Sequence, residues 1–501
     1  MSEAILTRAG NAIDSSALAV IEVTLSGKVT TATVTCTNGI KSYTKSGNGL
    51  VSFNIRSFGN WTVTAQFTDG KAFSKIVKVD QYQIYRIMLG GRTFGITINM
   101  DNSSPNGTVS YTDDAVGFNP LYVSNGICNY GSWGDIIVDG FGCKPCLYNN
   151  NQRSVYLNPN NYGLSASGES VDIVSGNVGD VMVEFKRTWY KFEMNGNNLT
   201  FKVADFDRSD EGFISDAFYA MDGSGVIKDY MYYSAFEGYY SGGRIRSLSG
   251  KEATRNYTIG NFRNFCKANG STYGLEDWAK RCYILGLSML VTKGRGIQAV
   301  VGNGICDNKP AIKTGTMNTN GLFYGGDSSV GCKLFGIEQF YGNWWKWCDG
   351  LVTTGTSGTI KMKNRAPYTD NGADYTVVSG VMPHGSSGCP TQMKPFFNGA
   401  MIFPSMIQSD YSKGWQDYAY VNSAAAYVAF VGGRYNYSAD DTGPFCVNVN
   451  YSASGTGSYI GGRSVAAYPY SGQYFYKILR SFTGFISNIS HMHIYGSMIK
   501  I

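Results

Sequence analysis

A mainly β chain with a few helices, an α+β organisation of short strands and many turns, is what this sequence predicts, on three observations. Charged residues are 16% of its 501 positions, against roughly 25% in average globular proteins, whereas aromatics reach 14% with 63 Gly and 36 Tyr. The first ninety residues alternate apolar and polar side chains at period two between turn signals, the pattern of half-buried strands. Helical spacing recurs clearly in only two stretches near the middle of the chain.

The elements follow in order. AVIEVTLSG, ATVTCTNG, GLVSFNI, GNWTVTAQFTDG and KIVKVDQYQIYRIML, punctuated by Ser26-Gly27, Asn38-Gly39 and Asp69-Gly70, predict a small antiparallel β-sandwich over residues 1–92. It is similar to the immunoglobulin-like or carboxypeptidase-regulatory-like modules that serve as spacers, and no charged cleft or motif in it points to more than attachment. Residues 93–175 are loop-rich, with DNSSPNGT, NPNNYG and SASGES as turns, and either link to the next domain or open it. Residues 178–206 give two strands joined by Asn195-Gly196. With the run that follows, GFISDAFYAMDGSGVIKDYMYYSAFEGYY, this hairpin resembles the opening of phage lectin-like domains, which implies a strand end at Glu237 and Tyr239.

Residues 255–267 read as a helix and 275–291 as a longer one. In the second, Leu275, Trp278, Ala279, Cys282, Leu285 and Met289 make one apolar stripe for packing on a sheet. The Gly-rich VGNGICDN after Arg295 lacks the Lys and Ser/Thr of a phosphate-cradling loop and reads as structural. FGIEQFYGNWWKWCDG, residues 335–350, then places Trp344, Trp345 and Trp347 within four positions between Gly342 and Gly350. Such a cluster is structural core, either a compact loop-rich one or a core strand.

That succession, closed by VGGRYNYS, GPFCVNVN and YIGGRSV, resembles the C-type-lectin fold in its formylglycine-generating-enzyme-like branch. Domains of this branch occur at the tips of bacteriophage tail fibres and in the variable proteins of diversity-generating retroelements. The resemblance covers roughly residues 105 to 500 and implies a large lectin-like receptor-binding domain, taken as 176–501, behind an N-terminal immunoglobulin-like β-sandwich.

The candidate ligand surface is Gly432 to Arg463, between two Gly-Gly-Arg brackets. It offers Tyr435, Asn436, Tyr437, Ser438, Asp440, Asp441, Asn448, Asn450, Tyr451 and Ser452. In CVNVNYS the alternation puts Cys446, Val447 and Val449 inward and Asn448, Asn450 and Ser452 outward. Rigid Tyr with adaptable Asn and Ser is the composition of a recognition surface, although the same bias pervades the whole chain.

Chemistry is expected to be absent. Formylglycine-generating enzymes use paired cysteines near the late Gly-Gly motif, but only Cys446 lies between the two brackets here, and Cys389 is the next nearest. Cys143 and Cys146 have CxxC spacing without further zinc ligands or a redox context. His384, His491 and His493 are the chain's histidines, and none sits in a nucleophile-elbow context. No cofactor is therefore expected. Asp440, Asp441, Asn448 and Asn450 could supply oxygens to calcium, without the Glu-Pro-Asn loop of calcium lectins. His491 and His493, two apart on a strand, would converge on the axis of a homotrimer as a transition-metal site. The apolar run Tyr468 to Ile501 forms either the trimer contact or the last strands of its own domain. Eleven scattered cysteines read as buried reduced thiols.

A net charge of +6 without a Lys/Arg block gives no nucleic-acid footprint. The start MSEAILTRAGNAIDSS has no signal-peptide h-region, and no apolar stretch reaches the roughly 18 residues of a membrane span. These readings converge on a phage or prophage tail receptor-binding protein, made in the host cytoplasm and residing in the virion tail. It would bind a bacterial cell-surface glycan or protein and meet other tail or baseplate proteins through its N-terminal domain. The alternatives are a formylglycine-generating or glycan-cleaving enzyme and a purely structural fibre or baseplate protein.

Overall fold

The computed structural model describes residues 17–468 apart from 26–28, 103, 105–108, 150, 355–358 and 423–424. Ala19–Leu25, Leu50–Ile55 and Ile84–Leu89 form a three-stranded sheet, and Thr31–Thr37, Ser42–Asn48, Gly59–Phe67 and Ala72–Val79 a four-stranded one. The alternation written in the sequence sets the burial. In Thr31–Thr37, Ala32, Val34 and Cys36 point inward and the threonines do not. The inward side chains of both sheets share a core centred on Ile21, Phe53, Trp61 and Val63. One pairing departs from the antiparallel expectation: Ile84–Leu89 runs parallel to Ala19–Leu25, with Val20 opposite Ile84. The chain has by then crossed from the other sheet, so its last strand enters in the direction of the first.

Residues 93–175 are built into the large body. Thr93–Asn99 pairs with Asn198–Ala204 from Thr93 opposite Ala204 to Asn99 opposite Asn198, and Lys144–Asn149 pairs with Asp180–Lys186. One hydrophobic core runs from Phe94 to Val465. The stretch read as a simple hairpin holds three strands, Asp180–Lys186, Trp189–Asn195 and Asn198–Ala204, divided between two sheets. Asn195 pairs with Asn198, so the two loop residues are Gly196 and Asn197, one position later than the sequence implies. Gly196 takes the positive φ, +58°, that this tight turn requires.

The central helix packs between the nine-stranded sheet and the four-stranded sheet that holds Thr93–Asn99 and Asn198–Ala204. The seven-stranded sheet places Ser464–Tyr468 between Tyr230–Ser234 and Tyr273–Leu275. A strand thus follows directly on the second Gly-Gly-Arg, and Tyr468 belongs to it. The nine-stranded sheet runs through Thr359–Met362, Trp345–Thr354, Val428–Val431, Val447–Tyr451, Ala419–Val421 and Ser386–Phe396.

Helix α1 is Ile259–Lys267, beginning where the Thr258 hydroxyl accepts from Asn261 N. Helix α2 is Trp278–Thr292, capped by the Asp277 carboxylate accepting from Lys280 N at 2.9 Å. The expected start at Leu275 gives way to a strand, Tyr273–Leu275. All fifteen residues of α2 are buried, so the single stripe is corrected to burial on every side. The helix packs on Trp345–Thr354, Met401–Gln408, Thr93–Asn99 and Asn198–Ala204, and a Cβ at Gly286 would lie 2.5 Å from the Phe201 ring. Among the described residues no helix is long and apolar enough to cross a membrane.

Of the two forms open to the tryptophan cluster, the strand is the one observed. Trp345 and Trp347 lie in Trp345–Thr354, with Trp344 just before it, and the three are 2, 0 and 7% exposed in that order. Gly350, which marks a loop boundary in the sequence, sits instead at a register shift inside the strand with φ +90°.

Candidate functional site

The site is built on one face of the nine-stranded sheet. Trp347 stands opposite Phe430, and Phe430 opposite Asn448, so all three side chains share a face. Trp345, two residues before Trp347, joins them. The rings meet edge to face, Trp345 and Phe430 at 4.8 Å, Trp347 and Tyr451 at 5.7 Å, Phe430 and Tyr451 at 6.1 Å. The Trp347 indole N–H donates to Tyr257 O at 3.0 Å, which fixes the floor. On the opposite face Lys346 is buried against Glu237 at 3.1 Å, and Glu237 also accepts from Asn343 Nδ2 at 2.6 Å.

The loop from Gly432 to Cys446 folds back over that floor. Gly432 and Gly433 take φ of +92° and +76°, and a Cβ on Gly433 would lie 2.6 Å from Thr442, so this turn needs glycine. The loop is tied down along its length. Gly342 N donates to Gly432 O at 2.7 Å, Tyr435 N to Asn343 O at 2.9 Å, Asp307 N to Tyr437 O at 2.6 Å and Ala439 N to the Asp307 carboxylate at 3.0 Å. Tyr435 packs on Trp344 at 5.0 Å and Tyr437 on Trp345 at 5.8 Å.

Two guanidiniums complete the face. Arg255 lies 3.8 Å over the Trp344 ring, and Arg434 lies between Tyr437 at 4.3 Å and Tyr459 at 3.9 Å. Ile460–Gly461 pairs in parallel with the start of the tryptophan strand, and Trp345 N donates to Tyr459 O at 3.2 Å, which sets Tyr459 there. Buried side-chain atoms on this face have no hydrogen-bond partner: Nε of Arg255 and Arg434, and Oδ1 of Asn436, Asn448 and Asn450. Buried polar atoms are nearly always paired in native proteins, and unpaired ones also occur away from this face, at Arg281, Arg295 and Gln339. Partial burial, with the like charges of Asp441 and Asp307, pushes the Asp440 carboxyl above its ordinary value.

The segment chosen from sequence is brought onto this face unevenly. Tyr435, Asn436, Tyr437, Asp441, Asn450 and Tyr451 are half-buried, while Ser438, Asp440 and Ser452 are exposed. Asn448 was expected to point outward, but it is only 4% exposed. Val447–Tyr451 is an inner strand on which Asn448 stands opposite Phe430, a neighbour that a one-strand alternation rule cannot see. Arg255, Arg434 and Tyr459 escaped the sequence reading. The second and third lie inside the chosen segment, but nothing local marks Arg255. The two Gly-Gly-Arg motifs are not equivalent either, since Arg463 is 1% exposed and spends its donors on the carbonyls of Ser234, Glu338 and Gln339.

Other candidates separate. Asp440 and Asp441 sit in the loop and Asn448 and Asn450 on the strand, and among the described residues no group of three or more His, Cys, Asp or Glu is placed to hold a metal ion. His384 is exposed. His491 and His493 lie outside the described residues, as does the run after Tyr468. Cys143 and Cys146 belong to different clusters, Cys143 donating to Phe335 O at 3.3 Å and Cys146 packing with Tyr148, Met182 and Tyr232. All eleven cysteines are unpaired and ten are buried, Cys128 being half-buried.

No family model matches the chain, and no curated protein matches it. Among solved structures, PvdO from Pseudomonas aeruginosa aligns with 59% of this chain and 97% of its own at 11% identity, with a TM-score of 0.26. The Major Tropism Determinant U1 and P3c variants each align with 82% of this chain and 81% of their own at 12% identity, with a TM-score of 0.24.

Proposed function

We propose that this chain is the receptor-binding protein of a bacteriophage or prophage tail and holds a bacterial surface receptor on the aromatic face of its nine-stranded sheet. The observation that supports it most is the half-buried Tyr435, Tyr437 and Tyr451 on a tryptophan floor, beside amide and guanidinium atoms without protein partners. A rigid aromatic floor under a pinned loop binds with little ordering cost. The reading involves no covalent step. Burial pushes the Cys389 thiol up to about 11 and the Cys446 thiol well above its usual range, so neither supports thiolate chemistry at neutral pH.

In this reading the N-terminal sandwich, which has its own core, attaches to the tail or baseplate. The chain is made in the host cytoplasm, works in the virion tail and acts as a homotrimer, whose several copies raise the avidity of weak single sites. Residues 432–463 are the segment that a diversity-generating retroelement would vary. Light scattering tests the trimer, with a shortened chain cut after Tyr468 so that the strand Ser464–Tyr468 survives; a monomeric full-length mass refutes it.

The site is tested by labelling a panel of bacterial strains with the purified chain. Tyr435→Ala with Tyr437→Ala should weaken binding by about 2 kcal/mol or more while circular dichroism stays unchanged. Undiminished cell binding by the folded double variant would move the site elsewhere.

A further inference from the structure

We infer that the ligand of this face is an anionic saccharide, whose carboxylate or phosphate group is taken between Arg255 and Arg434; the inference rests on the receptor-binding reading above. Elsewhere in the large body, several half-buried or buried guanidiniums have carboxylates: Arg263 meets Asp349 and Asp370, each at 2.7 Å, Arg153 meets Glu184 at 2.8 Å, Arg246 meets Asp180 and Arg92 meets Asp205, each at 2.9 Å, whereas the buried Arg463 and Arg295 donate to backbone carbonyls instead. Arg255 and Arg434 meet none within ion-pair distance among the described residues, and the Nε of each is buried without a partner. A half-desolvated cation without a counter-charge is costly, and a bound anion removes that cost with charge-assisted bonds in the planar geometry guanidinium favours.

Both arginines are held in place by rings. Arg255 stacks on Trp344, Trp344 meets Tyr435, and Tyr435 follows Arg434, which is itself clamped between Tyr437 and Tyr459. The rings suit the C–H face of a pyranose, and the half-buried Asn436 and Asn450, each next to a site tyrosine in sequence, bring amides that suit sugar hydroxyls. The carboxylates Asp307, Asp440 and Asp441 gather around Ala439 in the same loop.

The test measures binding of the full chain to polygalacturonate and to a polyglycerol-phosphate teichoic acid, with neutral dextran and polyglutamate as comparisons. Binding is expected to one of the two anionic carbohydrate polymers and to weaken as salt rises. Arg255→Gln and Arg434→Gln should each lower it roughly tenfold, with Arg434→Lys in between and the melting temperature unmoved. The polymer that binds tells carboxylate from phosphate. Equal binding to polyglutamate would assign the anion to a peptide and overturn the saccharide. Cell binding that ignores salt and both arginines, or that persists while neither anionic polymer binds, overturns this inference alone. Absence of binding to every strain overturns the receptor reading beneath it. The salt titration uses the unaltered chain and so stands even if a variant fails to fold.

Discussion

The Arg281 guanidinium donates to the Glu276 carboxylate at 2.8 Å, with neither side chain exposed at all. Arg281 also reaches Pro444 O at 2.9 Å and Phe340 O at 3.3 Å, so this one pair ties helix α2 to the base of the site loop and to the approach of the tryptophan strand. The Tyr233 hydroxyl donates to the same carboxylate.

Breaking the pair should therefore be severe. Arg281→Met leaves a buried carboxylate without its cation, and urea denaturation should show a loss of about 3–5 kcal/mol. Adding Glu276→Gln removes the stranded charge and should recover at least half of the loss. A double variant no more stable than the single one would show that the packing of Arg281, and not its charge, matters.

Asn448 is expected to trade stability for binding. Its Oδ1 is buried in mid-strand without a partner, and an unsatisfied buried group costs about 1–3 kcal/mol. Asn448→Val suits a strand and should raise stability by about 1 kcal/mol while weakening attachment to cells. A variant that is less stable and binds as before would show that the amide serves the fold.

Local periodicity explains how much of this architecture was legible. Thr31–Thr37 reads directly because its alternation is its burial pattern, and α1 is off only at its start, where Thr258 caps it. The misses share a non-local cause. Leu275 fits the helical stripe of α2, yet its backbone pairs with Ser464 from the far end of the chain. Gly350 looked like a boundary because a bulge and a loop use glycine alike. Asn448 alternates correctly, but its burial is decided by rings from Trp345–Thr354 and Val428–Val431. Arg255 reaches the site only because Asn256 N is bonded to Gly457 O, a contact no window of sequence contains.

Cys446 should prove dispensable for binding. Its thiol is buried, donates to Asp441 O at 3.3 Å, and is held protonated by burial and by the nearby Asp417 and Asp441. Cys446→Ser can keep that bond, so cell attachment should be unchanged, with a loss of about 1 kcal/mol in stability. Copper-dependent oxygen consumption with a thiol peptide, abolished by this substitution, would instead make the chain an oxidase.

The pH dependence of stability should carry a signature of Asp216. This residue opens the short turn Asp216–Phe218, which packs against α2. Burial pushes its carboxyl up to about 6 from the ordinary 3.8, against the lowering effects of the Asn364 amide and the charges of Arg365 and Lys280. The folded chain therefore holds this proton more tightly than the unfolded one. Its contribution to stability is full below about pH 4 and is lost as pH rises through about 6. Asp216→Asn removes the ionisable group and keeps an oxygen for Asn364, so at pH 7 the variant should be more stable by about 2–3 kcal/mol. Below about pH 4 the two proteins should unfold at the same urea concentration. A gap that stays constant from acid to neutral pH would mean that Asp216 titrates normally, in contact with water that the turn fails to exclude.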